Sequence, residues 1–508
     1  MRNTLLLSLF FLLCRAQAAP VTIRLVAPAF ADQEVLLYRQ LDLFTPRTAL
    51  LARARLDAQG VATLTTDVEG TVKAALVVSS VRGELWLRPG TYDLRMPAPK
   101  AGAPRSVNGT TKVDLTFNDL SPLDVNALVS DLNERLDGFL AEDLATDSRS
   151  GMEAVQRVRS GQAVLTPDTA KKRPKTLFIS PTWSASRVDS FAGKLRRFYA
   201  DVKDPWFQQD VEYGIAGLYL GPRNNDRDLY EAYLKGQPVL CDVPEYVRFV
   251  GAFFEDHLMQ FPFRSDELRL TNAITSGVPD SVLAVLRKHD FLRDEPQLSE
   301  LVMLQQLYVQ YSGKTFDRAG ILAIVKDRAE RSPYPEHRTI AANIVWDLTA
   351  MRPTATLPSL VLRDAQGEQV TLDSLLHGPT CIVLTANWCA YCEQELVGLE
   401  ALYAEYGTYV RFIGIDLDPS PGALKAYVKA HPARNWTWLS AGDDPTVMDA
   451  LRARSIPSFF LLNDRTLAYS PAPPPSNGLA AVLHKVKADA DERNRLKPDV
   501  VDPRPKRR

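Results

Sequence analysis

The chain has 508 residues, 45% apolar and 24% charged, the balance of an ordinary folded protein, so wholesale disorder is excluded. Sixty basic residues against 61 acidic ones give a formal charge of −1, which excludes a strong overall field for gathering nucleic acid. At roughly 100 to 200 residues per domain, this length predicts about three to five domains.

Residues 1–18 read as a signal peptide. Arg2 supplies the basic start, Leu5 to Leu13 is apolar except for Ser8, and Ala16-Gln17-Ala18 supplies the small residues of a cleavage site. The apolar run is about half the ~20 residues that a spanning helix needs. Cys14 invites a lipoprotein reading, but Leu13 is too bulky just before it. The mature chain is expected to start near Ala19 and to be exported, to the periplasm or cell envelope. Cys241, Cys381, Cys389 and Cys392 then remain, too sparse for a disulfide-stapled scaffold.

Residues 19–97 read as a β-sandwich-like domain. Val21 to Leu25 alternates with period two, similar runs follow at Val35 to Tyr38, Val61 to Thr65, Val72 to Val78 and Glu84 to Leu87, and Gln59-Gly60 and Pro89-Gly90 mark turns. Residues 98–118 read as a linker of low hydrophobicity. From 119 to 350 the period becomes helical, as in Val125-Leu128-Val129-Leu132-Leu136, so an irregular α-helical domain is expected. Its His257, His289 and His337 are well separated in sequence and lack the spacing of a helical metal site, and Cys241 reads as a buried thiol.

Residues 355–490 alternate strand and helix, which indicates an α/β layer fold. Thr380 to Ala386 is a continuous apolar run, as a strand buried on both faces requires, and Val410 to Ile415 is another. Glu393 to Tyr406 and Ala423 to Ala430 have helical periodicity, Ser458 to Leu462 with Thr466 to Tyr469 reads as a hairpin, and a helix follows from Leu479. Residues 491–508, rich in Asp, Arg, Lys and Pro, read as a disordered tail.

Trp388-Cys389-Ala390-Tyr391-Cys392 lies between the buried strand and its helix. A helix start offers unpaired N–H groups and the positive end of the macrodipole, both of which favour an anion. Such a site lowers a thiol's pKa from about 8.5 toward about 7. Cys389 would attack a disulfide, and Cys392, closer to the protein body, would resolve the mixed disulfide. A CxxC pair is also half a zinc site, but Cys381 is on the preceding strand and His377 is the nearest histidine, so no convincing second pair completes it. Two thiolates also suit copper(I).

Three segments in order carry a resemblance: Leu357 to Leu372 with Pro358, Asp364 and Gly367, then Trp388 to Glu395, then Ser455-Ile456-Pro457-Ser458-Phe459-Phe460. They resemble the TlpA/ResA branch of the thioredoxin-like superfamily, whose members are exported, often membrane-associated thiol–disulfide oxidoreductases. The resemblance implies a redox disulfide of Cys389 and Cys392, with Cys389 attacking and Cys392 resolving. It implies a cis-proline at Pro457 beside the sulfurs, Glu395 close enough to influence proton transfer, and Trp388, Tyr391 and Ile456 flanking the site. It also implies protein thiol/disulfide substrates and an upstream thiol electron donor, with no cofactor, metal or nucleic acid. Tyr391 and Val397 stand where many relatives have proline, so the direction of electron flow does not carry over. The alternatives are a thiol peroxidase, a non-enzymatic envelope scaffold and a copper(I)-binding protein.

Overall fold

The computed structural model describes residues 18–495 apart from 79–80, 101–110, 160–184, 221–224, 261–266, 388, 419–421, 443, 445 and 454. Nearly all of the segment read as a signal peptide, Trp388 and residues 496–508 lie outside the described residues. Two compact units are formed, Met1–Pro104 with Thr111–Val345, and Arg105–Thr110 with Trp346–Arg508.

In the first unit the strands are β1 (Ala19–Val26), β2 (Glu34–Gln40), β3 (Thr48–Arg55), β4 (Val61–Val68), β5 (Val72–Val78), β6 (Val81–Leu87), β7 (Gly90–Arg95), β8 (Thr111–Val113) and β9 (Thr116–Phe117). They make two sheets, of order β4-β1-β7-β9 and β3-β2-β5-β6-β8. The period-two alternation sends Val21, Ile23 and Leu25 of one sheet and Val35, Leu37 and Leu76 of the other into a shared core. Strands β8 and β9 fall inside the segment read as a linker. They are three and two residues long, too short for alternation to register.

Among the described residues, eleven helices follow in the same unit: α1 (Val125–Arg159), α2 (Ala185–Phe198), α3 (Pro205–Leu218), α4 (Asp226–Tyr233), α5 (Pro244–Phe253), α6 (His257–Gln260), α7 (Glu267–Thr275), α8 (Pro279–Leu286), α9 (Pro296–Gln310), α10 (Arg318–Arg331) and α11 (Pro335–Thr349), whose last residues enter the second unit. The stripe Val125-Leu128-Val129-Leu132-Leu136 packs with Val188 of α2 and Phe207 and Val211 of α3. Asp204 caps α3 by accepting from the Trp206 and Phe207 amides and pairs with Arg88. His257 and His289, far apart in sequence, meet with ring centroids 5.1 Å apart, in a cluster with Phe254 and Phe291. Cys241 is half-buried rather than buried. Among the described residues, no helix is long and apolar enough to cross a membrane.

The second unit is built on strands β10 (Val361–Asp364), β11 (Gln369–Thr371), β12 (Pro379–Thr385), β13 (Arg411–Asp416), β14 (Thr437–Ser440), β15 (Ser458–Asn463) and β16 (Thr466–Ala472), in the order β11-β10-β14-β13-β12-β15-β16. Its helices are α12 (Ala390–Tyr406), α13 (Ala423–Ala430), α14 (Thr446–Ala450) and α15 (Leu479–Arg495). Strand β12 lies at the centre, parallel to β13 and antiparallel to β15. All but its first residue are buried, as the unbroken apolar run demands. Cys381 and Val383 face α12 and α15, while Ile382 and Leu384 face the opposite core with Val447 and Leu451. Gly414 is required where Trp438 crosses β13, since a Cβ there would lie 2.4 Å from the indole. Helix α15 continues to Arg495, so the segment read as a disordered tail begins as helix.

Candidate active site

The chain leaves β12 at Thr385 and turns into α12, and the Cys389 amide donates to the Ala386 carbonyl across that turn at 3.1 Å. Cys389 is the N-cap of α12, with φ −94° and ψ 97°, and its Sγ accepts from the Cys392 amide at 3.1 Å. The sulfur therefore takes the place of the side-chain oxygen that usually satisfies an orphan helix N–H. The two Sγ atoms are bonded, 2.14 Å apart, with Cα atoms separated by 5.2 Å. Cys389 is half-buried and Cys392 fully buried, so Cys389 is the more accessible of the two. Tyr391, between them, is 55% exposed.

Glu395 is buried, one turn beyond Cys392. Its carboxylate accepts from the Ser476 amide at 3.0 Å and from the Ser476 hydroxyl. Burial pushes its pKa up, but the Ser476 bonds, helped by Tyr391, outweigh this and hold it below the ordinary range. Ile456–Pro457 is a cis peptide. The pairing of Leu384 with Ser458 sets Pro457 beside the end of β12, at the same end of the sheet as the cysteine turn. Cys381 is buried within the sheet, which pushes its thiol up to about 12. His377 precedes β12 and so lies at the end of that strand remote from Cys389.

Two groups near the site were not read from the sequence. Arg434, 2% exposed, donates to both carboxylate oxygens of Glu393, the residue after Cys392, and to Glu400. Asp416, 1% exposed, ends β13 directly across from Thr385. The available signal was an acid closing the apolar run Val410 to Ile415.

Residues 353–470 match the AhpC/TSA family model. The thiol-disulfide oxidoreductase ResA of Bacillus cereus is 23% identical over 126 residues, which span 25% of this chain and 72% of that protein. Among solved structures, the thioredoxin domain of a thiol-disulfide oxidoreductase from Bacteroides vulgatus is 14% identical, with a TM-score of 0.24 over 27% of this chain and 97% of its own. A thiol-disulfide oxidoreductase from Bacteroides fragilis is 18% identical, with a TM-score of 0.23 over 26% of this chain and 98% of its own. Residues 353–470 are a thioredoxin-like oxidoreductase domain of the AhpC/TSA family, similar to ResA.

Proposed function

We propose that the chain is an exported thiol–disulfide oxidoreductase that exchanges electrons with protein disulfides through Cys389 and Cys392, fed by an upstream thiol donor. The observation that carries the reading is the Cys389–Cys392 disulfide at the N-cap of α12, with one sulfur reachable and the other buried. In the reducing direction the Cys389 thiolate attacks a substrate disulfide. A mixed disulfide forms and one substrate thiolate leaves. The Cys392 sulfur then attacks Cys389, the mixed bond breaks, and the second substrate thiolate departs. Two electrons pass to the substrate and the cysteine pair is oxidised. Pro457, at the same end of the sheet, is the candidate for exposing backbone to the substrate chain. Export to the periplasm or cell envelope is supported by the composition of residues 1–18.

The test is reduction of insulin by the full-length protein with a thiol reductant supplied. Cys389→Ser should abolish turnover while leaving the unfolding transition in place. Equal activity in that variant overturns the assignment.

A further inference from the structure

Closing the Cys389–Cys392 bond moves a proton as well as electrons, because the Cys392 thiol must lose its hydrogen to attack. Glu395, read from the sequence as the group that influences this transfer, is committed elsewhere. Both its oxygens are held by Ser476, and it stays ionised below the ordinary carboxylate range. Asp416 is in the opposite condition. Among the described residues, its Oδ1 accepts only from the Asp418 amide at 3.2 Å, and its Oδ2 is buried with no hydrogen-bond partner. The Thr385 hydroxyl oxygen, on the adjacent strand, is also buried without a partner.

The register places these two side chains at the end of β12 from which the chain turns into α12. Thr385 and Asp416 are directly paired on parallel strands, so they share a sheet face. By alternation it is the face of Val383 and Phe412, which packs on Leu396 and Leu399 of α12. As the crossover between parallel strands, α12 runs back against β12. One turn toward its start from Leu396, about 6 Å, is Cys392. Two residues onward from Val383, about 6.6 Å, is Thr385. The buried resolving sulfur and the two oxygens thus lie toward the same end of the sheet, the end at which α12 starts.

Building on the proposed redox cycle, we propose that Asp416, paired across the sheet with Thr385, is the proton-positioning residue for Cys392. As the Cys392 Sγ–H bond breaks and the Sγ–Sγ bond to Cys389 forms, the proton passes to the Asp416 carboxylate. The electron pair of the broken mixed disulfide leaves on the substrate sulfur, and Asp416 then returns the proton to solvent or to that thiolate. Burial, reinforced by the charge of Asp418 and opposed by the Asp418 amide, raises the Asp416 pKa to about 6, a suitable value for accepting and releasing a proton near neutrality. Asp418 is the charged group that acts on it. Thr385 of β12 and Ser440, its pair on β14, are neutral.

The test uses the reduced full-length protein and dithiobis(nitrobenzoate) across a pH series. The first thionitrobenzoate released reports attack by Cys389, and the second reports closure by Cys392. In the wild type the second rate should be level above about pH 6 and fall below it. Asp416→Asn should lose that limb and slow the second release at pH 7 by about tenfold or more, with the first release unchanged. Asp416→Glu should restore part of the rate, and Glu395→Gln should keep the limb. An unchanged second-phase profile in Asp416→Asn, or equal slowing of both phases, overturns the proposal. Failure of the wild type to release any second thionitrobenzoate removes the proposed redox cycle itself, and this inference with it.

Discussion

Arg434 donates Nη1 to Glu393 Oε2 at 2.8 Å and Nη2 to Glu393 Oε1 at 2.6 Å, a bidentate hold on the residue that follows Cys392. The guanidinium also donates to Glu400 at 2.5 Å, and its backbone carbonyl accepts from the Trp438 indole at 2.9 Å. One buried cation thus ties the first and third turns of α12 to the segment entering β14. Arg434, and lesser contributions from His431 and Tyr427, hold the Glu393 carboxyl below its ordinary range against the opposing effect of burial. Arg434→Gln should cost about 1–3 kcal/mol. It should also slow alkylation of reduced Cys389, since an uncompensated carboxylate at the helix start disfavours a thiolate. Urea unfolding followed by tryptophan fluorescence and the alkylation rate check both, and an unchanged alkylation rate would show that the clamp is only structural.

Asp416 also sets a pH dependence of stability. Its folded-state pKa of about 6 lies above the ordinary 3.8, so the native state holds the proton more tightly than the unfolded chain. Stability therefore falls as pH rises between those values and levels off at a cost of about 2–3 kcal/mol. Asp416→Asn removes that term. The variant should gain stability over the wild type at pH 8 relative to pH 4, in paired urea titrations. A difference that does not vary with pH would contradict the buried ionisation.

The remaining cysteines should be bystanders. Burial pushes both Cys241 and Cys381 up to about 12, with the charges of Glu336, Asp242 and Asp42 adding to the effect at Cys241. At neutral pH they hold almost no thiolate. Iodoacetamide followed by peptide mass spectrometry of the native reduced protein should find Cys389 modified and these two untouched. Modification of Cys241 at a comparable rate would refute this.

A buried polar knot secures the helical part of the first unit. Glu300 accepts from the Ser332 hydroxyl, lies 2.9 Å from His337 Nδ1 and takes Arg328 Nη1 at 3.3 Å. Burial works to raise its pKa, but His337, Ser332 and Arg328 more than compensate, so it is lowered. The stabilisation is present above the ordinary carboxylate range and is lost as pH falls through the lowered folded value. Glu300→Ala should cost about 1–3 kcal/mol by leaving the Ser332 hydroxyl and His337 Nδ1 without this partner, while Arg328 keeps its bonds to Asp327. Urea unfolding at pH 7 measures this cost, and a loss under about 1 kcal/mol would place the knot among weak surface pairs.

The core of the second unit was legible because its signals are local. An unbroken apolar strand and a CxxC at the following helix start are read without knowing the fold, whereas Ile456-Pro457 took its meaning from the family resemblance. Strand β14 was missed because Thr437–Ser440 is four residues long, and α14, at five residues, is shorter than one clear helical stripe. What the sequence could not supply is pairing at a distance. The position of Glu395 was evident, but its partner Ser476 is 81 residues away, and that bond changes the glutamate from a mobile acid to a fixed one. Asp416 gains its character only when β13 is laid beside Thr385. His257 and His289 likewise looked separate until the helices brought their rings together.

The most direct test is a redox titration of the full-length protein. It would be equilibrated in buffers of graded potential, quenched by alkylation and read by intact mass and peptide mapping. The expected result is a reversible two-electron transition confined to Cys389 and Cys392, with a midpoint between about −270 and −120 mV. A pair that stays fully bonded, or fully reduced and metal-bound, in every buffer would contradict it.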